Sequence, residues 1–174
     1  MAQETDEGHT APASDDQLRS LLDQHGGSVY RMARSVVRDA ALAEDVVQET
    51  FIKAWQQADS YQGAVPIRNW LLRIAHNVAV STLRTIRDQA TDPATLPQGR
   101  RAESATASVV EDRMAISDAL GSLDPQSRSI VFLREFEGLT YDEIAEILDL
   151  PLPTVKTRLF RARGRLRTMA EERS

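Results

Sequence analysis

The chain has 174 residues, no cysteine and a net charge of −5, which allows one domain or two small ones and excludes a disulfide framework or a thiolate zinc site. Aromatic residues make up only 5% of it, and this composition favours an all-α protein. No apolar run approaches the roughly 20 residues that span a bilayer, and the acidic N-terminus lacks the apolar segment of a secretory signal, so we expect a cytoplasmic chain with no membrane insertion of its own.

The charge is unevenly distributed along the chain. Residues 28–87 carry a net charge of +3 and residues 151–174 a net charge of +5, whereas the remaining segments are acidic. A local basic surface matters more for phosphate binding than the total charge of the protein. The negative total therefore does not exclude nucleic acid as a partner.

The first half of the chain begins with a predicted disordered tail over residues 1–14, which are small, polar and acidic. A helix is predicted to begin at Asp15-Asp16, to be interrupted or bent at Gly26-Gly27, and to resume from Ser28 to Arg38. The resumed part has one apolar face, made of Val29, Met32, Ala33, Val36 and Val37.

The next helix is predicted over residues 40–58, with Asp39 as its N-cap. Its core stripe is Ala43, Val47, Thr50, Phe51 and Ala54, widened by Val46 and Trp55. The opposite face carries polar and charged residues: Asp45, Gln48, Glu49, Lys53 and Gln56. Physical chemistry alone favours a solvated surface for this face over a docking site.

A loop over residues 60–66, with Gly63 and Pro66, precedes a helix predicted over residues 67–87. This helix mixes apolar residues with Arg68, Arg73, Arg84 and Arg87. A basic helix with interleaved aromatic residues can bind single-stranded nucleic acid by stacking and phosphate contacts, although we expect Trp55 and Trp70 in the core. His76 has no second ligand at metal-binding spacing, so no metal site is expected.

Residues 88–112 are rich in Pro, Ala, Ser and Thr without an apolar stripe, and they are predicted to link two domains. The second domain begins near Arg113 with a helix ending at Leu123. Asp124-Pro125 then starts a helix that runs to Phe136, with Asp124 as N-cap and Pro125 at the first helical position. Gly138 is its predicted C-terminal cap.

Residues 138–167 contain two short helices joined by a tight turn. Thr140 and Glu143 form a predicted capping box, Pro151 ends the first helix, and the second begins near Leu152. Its buried stripe is Val155, Leu159, Ala162 and Leu166, and off that stripe lie Lys156, Arg158, Arg161, Arg163, Arg165 and Arg167. This pattern is typical of a helix-turn-helix that reads a DNA major groove, with an ordinary helical hairpin as the alternative.

Three segments together carry a resemblance to a known family. They are residues 43–55 (AEDVVQETFIKAW), residues 69–79 (NWLLRIAHNVA) and residues 123–163. They resemble, in order, the polymerase-docking segment, the −10-reading segment and the −35-binding domain of bacterial extracytoplasmic-function sigma factors. The resemblance implies an all-α fold with two small helical domains over residues 15–87 and 113–174, the second a helix-turn-helix domain.

The resemblance implies a non-enzymatic subunit that binds core RNA polymerase and directs promoter recognition. The clamp helices of the largest polymerase subunit would contact Asp45, Gln48, Glu49, Lys53 and Gln56. The −10 element would contact Ser60, Gln62, Arg68, Arg73, Asn77 and Arg84, and the −35 element would contact Thr154, Lys156, Thr157, Arg158, Arg161 and Arg163. The polymerase flap and an anti-sigma factor are further implied partners, and no cofactor is implied.

Two positions depart from the family pattern, because Asp149 and Pro153 stand where glycine is common around the turn. Both lie beside the promoter-reading end of the second helix. The alternative function is a stand-alone helix-turn-helix regulator that binds DNA as a dimer. It accounts for residues 113–168 but leaves the polar face of helix 40–58 unexplained.

Overall fold

The structure, a computed structural model, describes residues 14–90 and 117–173. The predicted tail, apart from Ser14, and most of the predicted linker lie outside the described residues. Every regular element within the described ranges is helical, which confirms the predicted all-α class. The α-helices are α1 (Asp15–Val37), α2 (Ala40–Gln56), α3 (Ile67–Gln89), α4 (Pro125–Val131), α5 (Tyr141–Leu148) and α6 (Leu152–Glu171). A 3₁₀ turn covers Ala58–Ser60, a π-helical turn covers Phe132–Phe136, and residues 117–121 are also helical.

Helix α1 runs without a break through Gly26-Gly27, so the predicted interruption is wrong. Each glycine lowers helix stability by about 1 kcal/mol relative to alanine. Packing against α2 and α3 outweighs this cost, because the predicted apolar face is buried, with Met32 fully enclosed. Ser14 is the N-cap, and its side chain accepts a hydrogen bond from the Gln17 N–H.

Helix α2 begins after Asp39 as predicted, since the Asp39 carboxylate accepts a hydrogen bond from the Leu42 N–H at 2.9 Å. It ends at Gln56, two residues before the predicted end, where the 3₁₀ turn takes over. The prediction that Trp55 lies in the core is wrong, because its side chain is 39% exposed. A helix that packs on two neighbours from one side buries only a stripe of its surface, and Trp55 lies beyond the edge of that stripe.

Helix α3 continues to Gln89, two residues into the segment predicted as a linker. Trp70 is partly buried against the core, and its ring lies 5.0 Å from that of Tyr61. This contact and a hydrogen bond from the Tyr61 hydroxyl to the Val65 carbonyl, 2.7 Å long, hold the loop between α2 and α3.

The second half confirms the helix starts predicted at Asp124, Thr140 and Leu152. The helix start predicted near Arg113 lies outside the described residues. The Asp124 carboxylate accepts a hydrogen bond from the Ser127 N–H at 3.0 Å, with Pro125 in the first turn. Both capping-box hydrogen bonds between Thr140 and Glu143 are present. The helix that precedes Asp124 ends at residue 121, slightly before the predicted end at Leu123.

The turn between α5 and α6 uses Asp149 where glycine is favoured. Asp149 adopts the left-handed conformation, with φ 52° and ψ 53°, which aspartate tolerates better than most residues because its short side chain can hydrogen-bond locally. Pro153 lies in the first turn of α6, where a missing N–H costs little. Helix α6 then buries Val155, Leu159 and Ala162, and Leu166 packs against the core with part of its surface exposed.

The two halves of the chain are packed together. Helix α1 packs against α4, and α3 packs against α5. The buried apolar residues of both halves form a single cluster. The outward faces of α2, α3 and α6 remain as the surfaces available to partners.

Candidate nucleic-acid and partner interfaces

The polar face of α2 points to solvent. Asp45, Gln48, Glu49 and Gln56 are exposed, and the Lys53 ammonium lies 3.8 Å from a Glu49 carboxylate oxygen. An exposed pair at this distance contributes about 0.3–0.5 kcal/mol, so it is easily exchanged for a partner's charges. The face is open to another molecule.

Two large apolar side chains extend this face. Ile52 is 51% exposed and Trp55 is 39% exposed, and the helical repeat places them beside Gln48 and Gln56. Aromatic residues are enriched in protein–protein interfaces. Sequence reasoning missed both side chains, because their types and spacing fit a core equally well and only the packing shows them to be exposed.

Three polar side chains of α3 share an exposed face. Arg73, Asn77 and Arg84 are all exposed, and their spacing of four and seven residues keeps them within about 40° of one another around the helix axis. Ser60 and Gln62 are exposed in the preceding loop. The structure therefore offers a basic helical face that extends for about three turns.

Arg68 is separated from these residues. It is partly buried, and its guanidinium lies 3.6 Å from a Glu137 carboxylate oxygen of the second half. The helical repeat turns Arg68 about 140° away from Arg73. The structure therefore does not bring together all the residues that the sequence assigned to one surface.

His76 is buried and makes a polar contact with the second half. Its Nδ1 lies 2.9 Å from the Ser129 hydroxyl oxygen. Burial lowers the pKa of His76 to about 4, so the imidazole is neutral near pH 7. Within residues 14–90 and 117–173, no group of three or more His, Cys, Asp or Glu side chains is arranged to hold a metal ion.

Helix α6 and the start of α4 form an open groove of about 530 Å³. Four of the residues assigned to the −35 element line it: Thr154, Thr157, Arg158 and Arg161. Lys156 and Arg163 are exposed on the same helix. The groove combines cationic and hydroxyl groups, which are the side chains that contact phosphates and base edges in DNA complexes.

Two of these cations are paired with carboxylates of the same half. Arg158 lies 3.2 Å from an Asp124 oxygen, and the Arg163 Nε donates to Glu135 at 2.8 Å. Burial alone would raise the pKa of Asp124, but hydrogen bonds from Ser127 and the charge of Arg158 hold it below its usual value. DNA that binds here has to compete with these carboxylates.

The helices over residues 14–90 and 117–173 include none that is long and apolar enough to cross a membrane.

Comparison with protein families matches both halves of the chain. The family model described as Sigma-70 region 2 matches residues 21–89, and that described as Sigma-70, region 4 matches residues 113–166. The ECF RNA polymerase sigma factor SigL of Mycobacterium tuberculosis is 34% identical over 160 residues, with 89% of each chain covered. The ECF RNA polymerase sigma-E factor of Escherichia coli is 35% identical over 143 residues, covering 68% of this chain and 69% of that protein.

Two solved structures have the same fold. The sigma factor RpoE of Bartonella quintana, in complex with the anti-sigma factor NepR, superposes with a TM-score of 0.77 at 26% identity, covering 90% of this chain and 98% of that one. CnrH, in complex with the cytosolic domain of CnrY, gives a TM-score of 0.72 at 27% identity, with 94% of each chain covered.

Proposed function

The chain belongs to the family of ECF RNA polymerase sigma factors, and we propose that it acts as one by binding core RNA polymerase and directing it to two-part promoters. The observation that carries this proposal is the pair of matches in one chain, region 2 over residues 21–89 and region 4 over residues 113–166. A stand-alone helix-turn-helix regulator would need only the second. In the proposed role the chemistry of RNA synthesis belongs to the polymerase.

Core polymerase is proposed to dock on the outward face of α2. The contacts are assigned to the clamp helices of the largest subunit and to Asp45, Gln48, Glu49, Lys53 and Gln56. We add Ile52 and Trp55 to this set, because they are exposed on the same helix. Interface energy concentrates in a few buried aromatic and arginine anchors surrounded by weaker polar contacts, and Trp55 is the side chain on this face best suited to be an anchor.

The −10 element is proposed to be read as single-stranded DNA by the loop before α3 and by α3 itself. The residues assigned to it are Ser60, Gln62, Arg68, Arg73, Asn77 and Arg84. Single strands are bound by cations that follow the backbone and by aromatic side chains on which the bases stack. Arg68 takes part only when it is released from Glu137.

The −35 element is proposed to bind as duplex DNA, with the N-terminal part of α6 in its major groove. The residues assigned to it are Thr154, Lys156, Thr157, Arg158, Arg161 and Arg163. The first turns of a recognition helix meet base edges, and its flanking arginines meet phosphates. About six cationic and polar contacts on one helix give weak, salt-sensitive binding alone, so tethering both halves to one polymerase supplies the affinity.

An anti-sigma factor is proposed as a further partner, together with the polymerase flap. Among the similar solved structures, the sigma factor RpoE is in complex with the anti-sigma factor NepR. CnrH is in complex with the cytosolic domain of CnrY.

The test is reconstitution with core polymerase and transcription over a promoter library. The double variant Gln48→Ala with Glu49→Ala should reduce binding to core polymerase and leave duplex DNA binding unchanged. The double variant Lys156→Ala with Arg158→Ala should reduce dependence on the −35 sequence and leave core binding intact. A chain that shifts duplex DNA alone and does not bind core polymerase would instead be a stand-alone regulator.

A further inference from the structure

The segment that connects α2 to α3 is closed by a tyrosine. The Tyr61 hydroxyl donates to the Val65 carbonyl at 2.7 Å, and this hydrogen bond joins the two ends of residues 61–65, which we call the closed loop. At its first end, the Tyr61 N–H donates to the Ala58 carbonyl of the 3₁₀ turn at 3.2 Å. Its other end lies just before α3, which begins at Ile67. The closed loop is therefore held between two helical elements.

The ring of Tyr61 fixes the position of its hydroxyl. The ring centroid lies 5.0 Å from that of Trp70, with an angle of 41° between the two planes, and aromatic pairs at this distance attract each other. Trp70 belongs to the first turn of α3 and packs against the core. The ring thus attaches the closed loop to the core, and the hydroxyl keeps the two ends of the loop together.

The side chains of the closed loop alternate between its inner and outer sides. Tyr61, Gly63 and Val65 are partly buried, whereas Gln62 and Ala64 are exposed. Gly63 has φ 70°, in the left-handed region that glycine adopts at little steric cost, and this bend lets the ends of the loop approach each other. The closed loop therefore presents the Gln62 amide to solvent as its outward polar group.

A fixed loop binds a base more selectively than a mobile one. The Gln62 amide has two donor hydrogens and an acceptor oxygen, which can pair with the exposed edge of an unstacked base. A mobile loop would lose conformational entropy when the amide engages a base, whereas the closed loop has already lost it on folding. The Tyr61 hydrogen bond therefore strengthens the contact with a base that fits Gln62 and contributes nothing for a base that does not.

We propose that Tyr61 is a positioning residue for the −10 element: its hydroxyl keeps the loop closed, so that Gln62 selects one base of the single-stranded DNA. The inference rests on the proposed function and gives Tyr61 a role in which it touches no base itself. Phenylalanine at this position retains the ring that contacts Trp70 and lacks the hydrogen bond to Val65. The role of the hydroxyl can therefore be tested separately from that of the ring.

The test uses the full chain with core polymerase and a promoter selected from the transcription library. For each base of the −10 element, the transcript yield from this promoter is divided by the yield from a promoter with that base replaced. Tyr61→Phe should lower this ratio about two- to tenfold at one position, the range expected for the loss of one neutral hydrogen bond. The ratios at the other positions and the affinity for core polymerase should remain unchanged.

Two further variants separate positioning from a structural effect. Gln62→Ala should lower the ratio at the same position, and adding Tyr61→Phe to it should have no further effect, because the two residues act through one contact. Tyr30→Phe removes the hydroxyl of another partly buried tyrosine of the first half and should leave every ratio unchanged. Thermal unfolding followed by circular dichroism checks that each variant is folded.

The proposal is overturned if Tyr61→Phe retains every wild-type ratio, or if it lowers the yield from all −10 sequences by the same factor. It is also overturned if the effects of Tyr61→Phe and Gln62→Ala are fully additive. Failure of the proposed function gives a different result, because the wild-type chain then neither binds core polymerase nor starts transcription, and both proposals fail. Normal transcription by Tyr61→Phe with unchanged ratios rejects the role of Tyr61 alone.

Discussion

Two glycines of the second half should respond in opposite directions to replacement by alanine. A β-carbon at either Gly138 or Gly164 would meet no other atom within 4 Å, so neither change introduces a clash. Gly138 has φ 68°, in the left-handed region, whereas Gly164 lies within α6. The sign of the effect should therefore follow from backbone conformation alone.

The magnitudes follow from the two conformations. Forcing alanine into the left-handed region destabilises the folded chain by about 1–2 kcal/mol. Replacing glycine also lowers the conformational entropy of the unfolded chain, which stabilises the folded state by about 0.4–1 kcal/mol. Gly138→Ala should thus lower the free energy of unfolding by about 1 kcal/mol. Gly164→Ala should raise it by about 1 kcal/mol, the difference in helix propensity between the two residues.

Urea unfolding followed by circular dichroism measures both changes. An unchanged slope of the unfolding free energy against urea concentration shows that the unfolding reaction is the same in each variant. In a thermal scan each should shift Tm by roughly 2–4 °C, in opposite directions. A shift of the same sign in both variants would refute the reasoning. A loss above about 3 kcal/mol at Gly138 would also contradict it, because a loss of that size requires a steric or packing effect.

Three further predictions concern individual side chains. Trp55→Ala should weaken binding to core polymerase by tenfold or more, as expected of an interface anchor. Leu22 is also exposed but lies outside the proposed interface, so Leu22→Ala should leave binding unchanged. Equal binding by both variants would reject the anchor role. The pKa of His76 is depressed to about 4, so as the pH falls the unfolded chain takes up a proton on this imidazole before the folded chain does. The free energy of unfolding, measured with urea, should therefore fall from pH 6.5 toward pH 4. His76→Gln should flatten that fall, and an unchanged pH profile would contradict the burial argument. Asp124→Asn should free the charge of Arg158 while retaining an N-cap, so the affinity for duplex DNA should rise severalfold at low salt. An unchanged affinity in a salt titration would show that the Arg158–Asp124 pair does not compete with DNA.

The helix starts were predictable because their determinants are local. Asp39, Asp124 and the Thr140–Glu143 pair bond to backbone groups three residues away, so the spacing of residue types in the sequence is sufficient. The apolar face of the second part of α1 and the stripe of α6 were predictable for the same reason, since helical periodicity fixes which side chains share a face. The family resemblance of three segments, in order along the chain, was also visible in the sequence and is confirmed by the matches to regions 2 and 4.

The incorrect predictions depended on packing between distant residues. Gly26-Gly27 weakens a helix locally, but burial of the rest of α1 against α2 and α3 decides the outcome. Trp55 fits a core stripe by type and spacing, yet its side chain is 39% exposed. Local propensity is a weak term that tertiary contacts can override.

The sequence by itself determined which segments are helical, where most helices begin, and which residue types line the α2, α3 and α6 faces, since these follow from interactions within a few residues. Only the tertiary structure decided the partners of charged groups far apart in the chain. Arg158 pairs with Asp124 across 34 positions, and Glu137 reaches Arg31 across 106. No local pattern encodes such pairs, because an ion pair depends on distance in space and on exclusion of water, and both are set by how the helices pack.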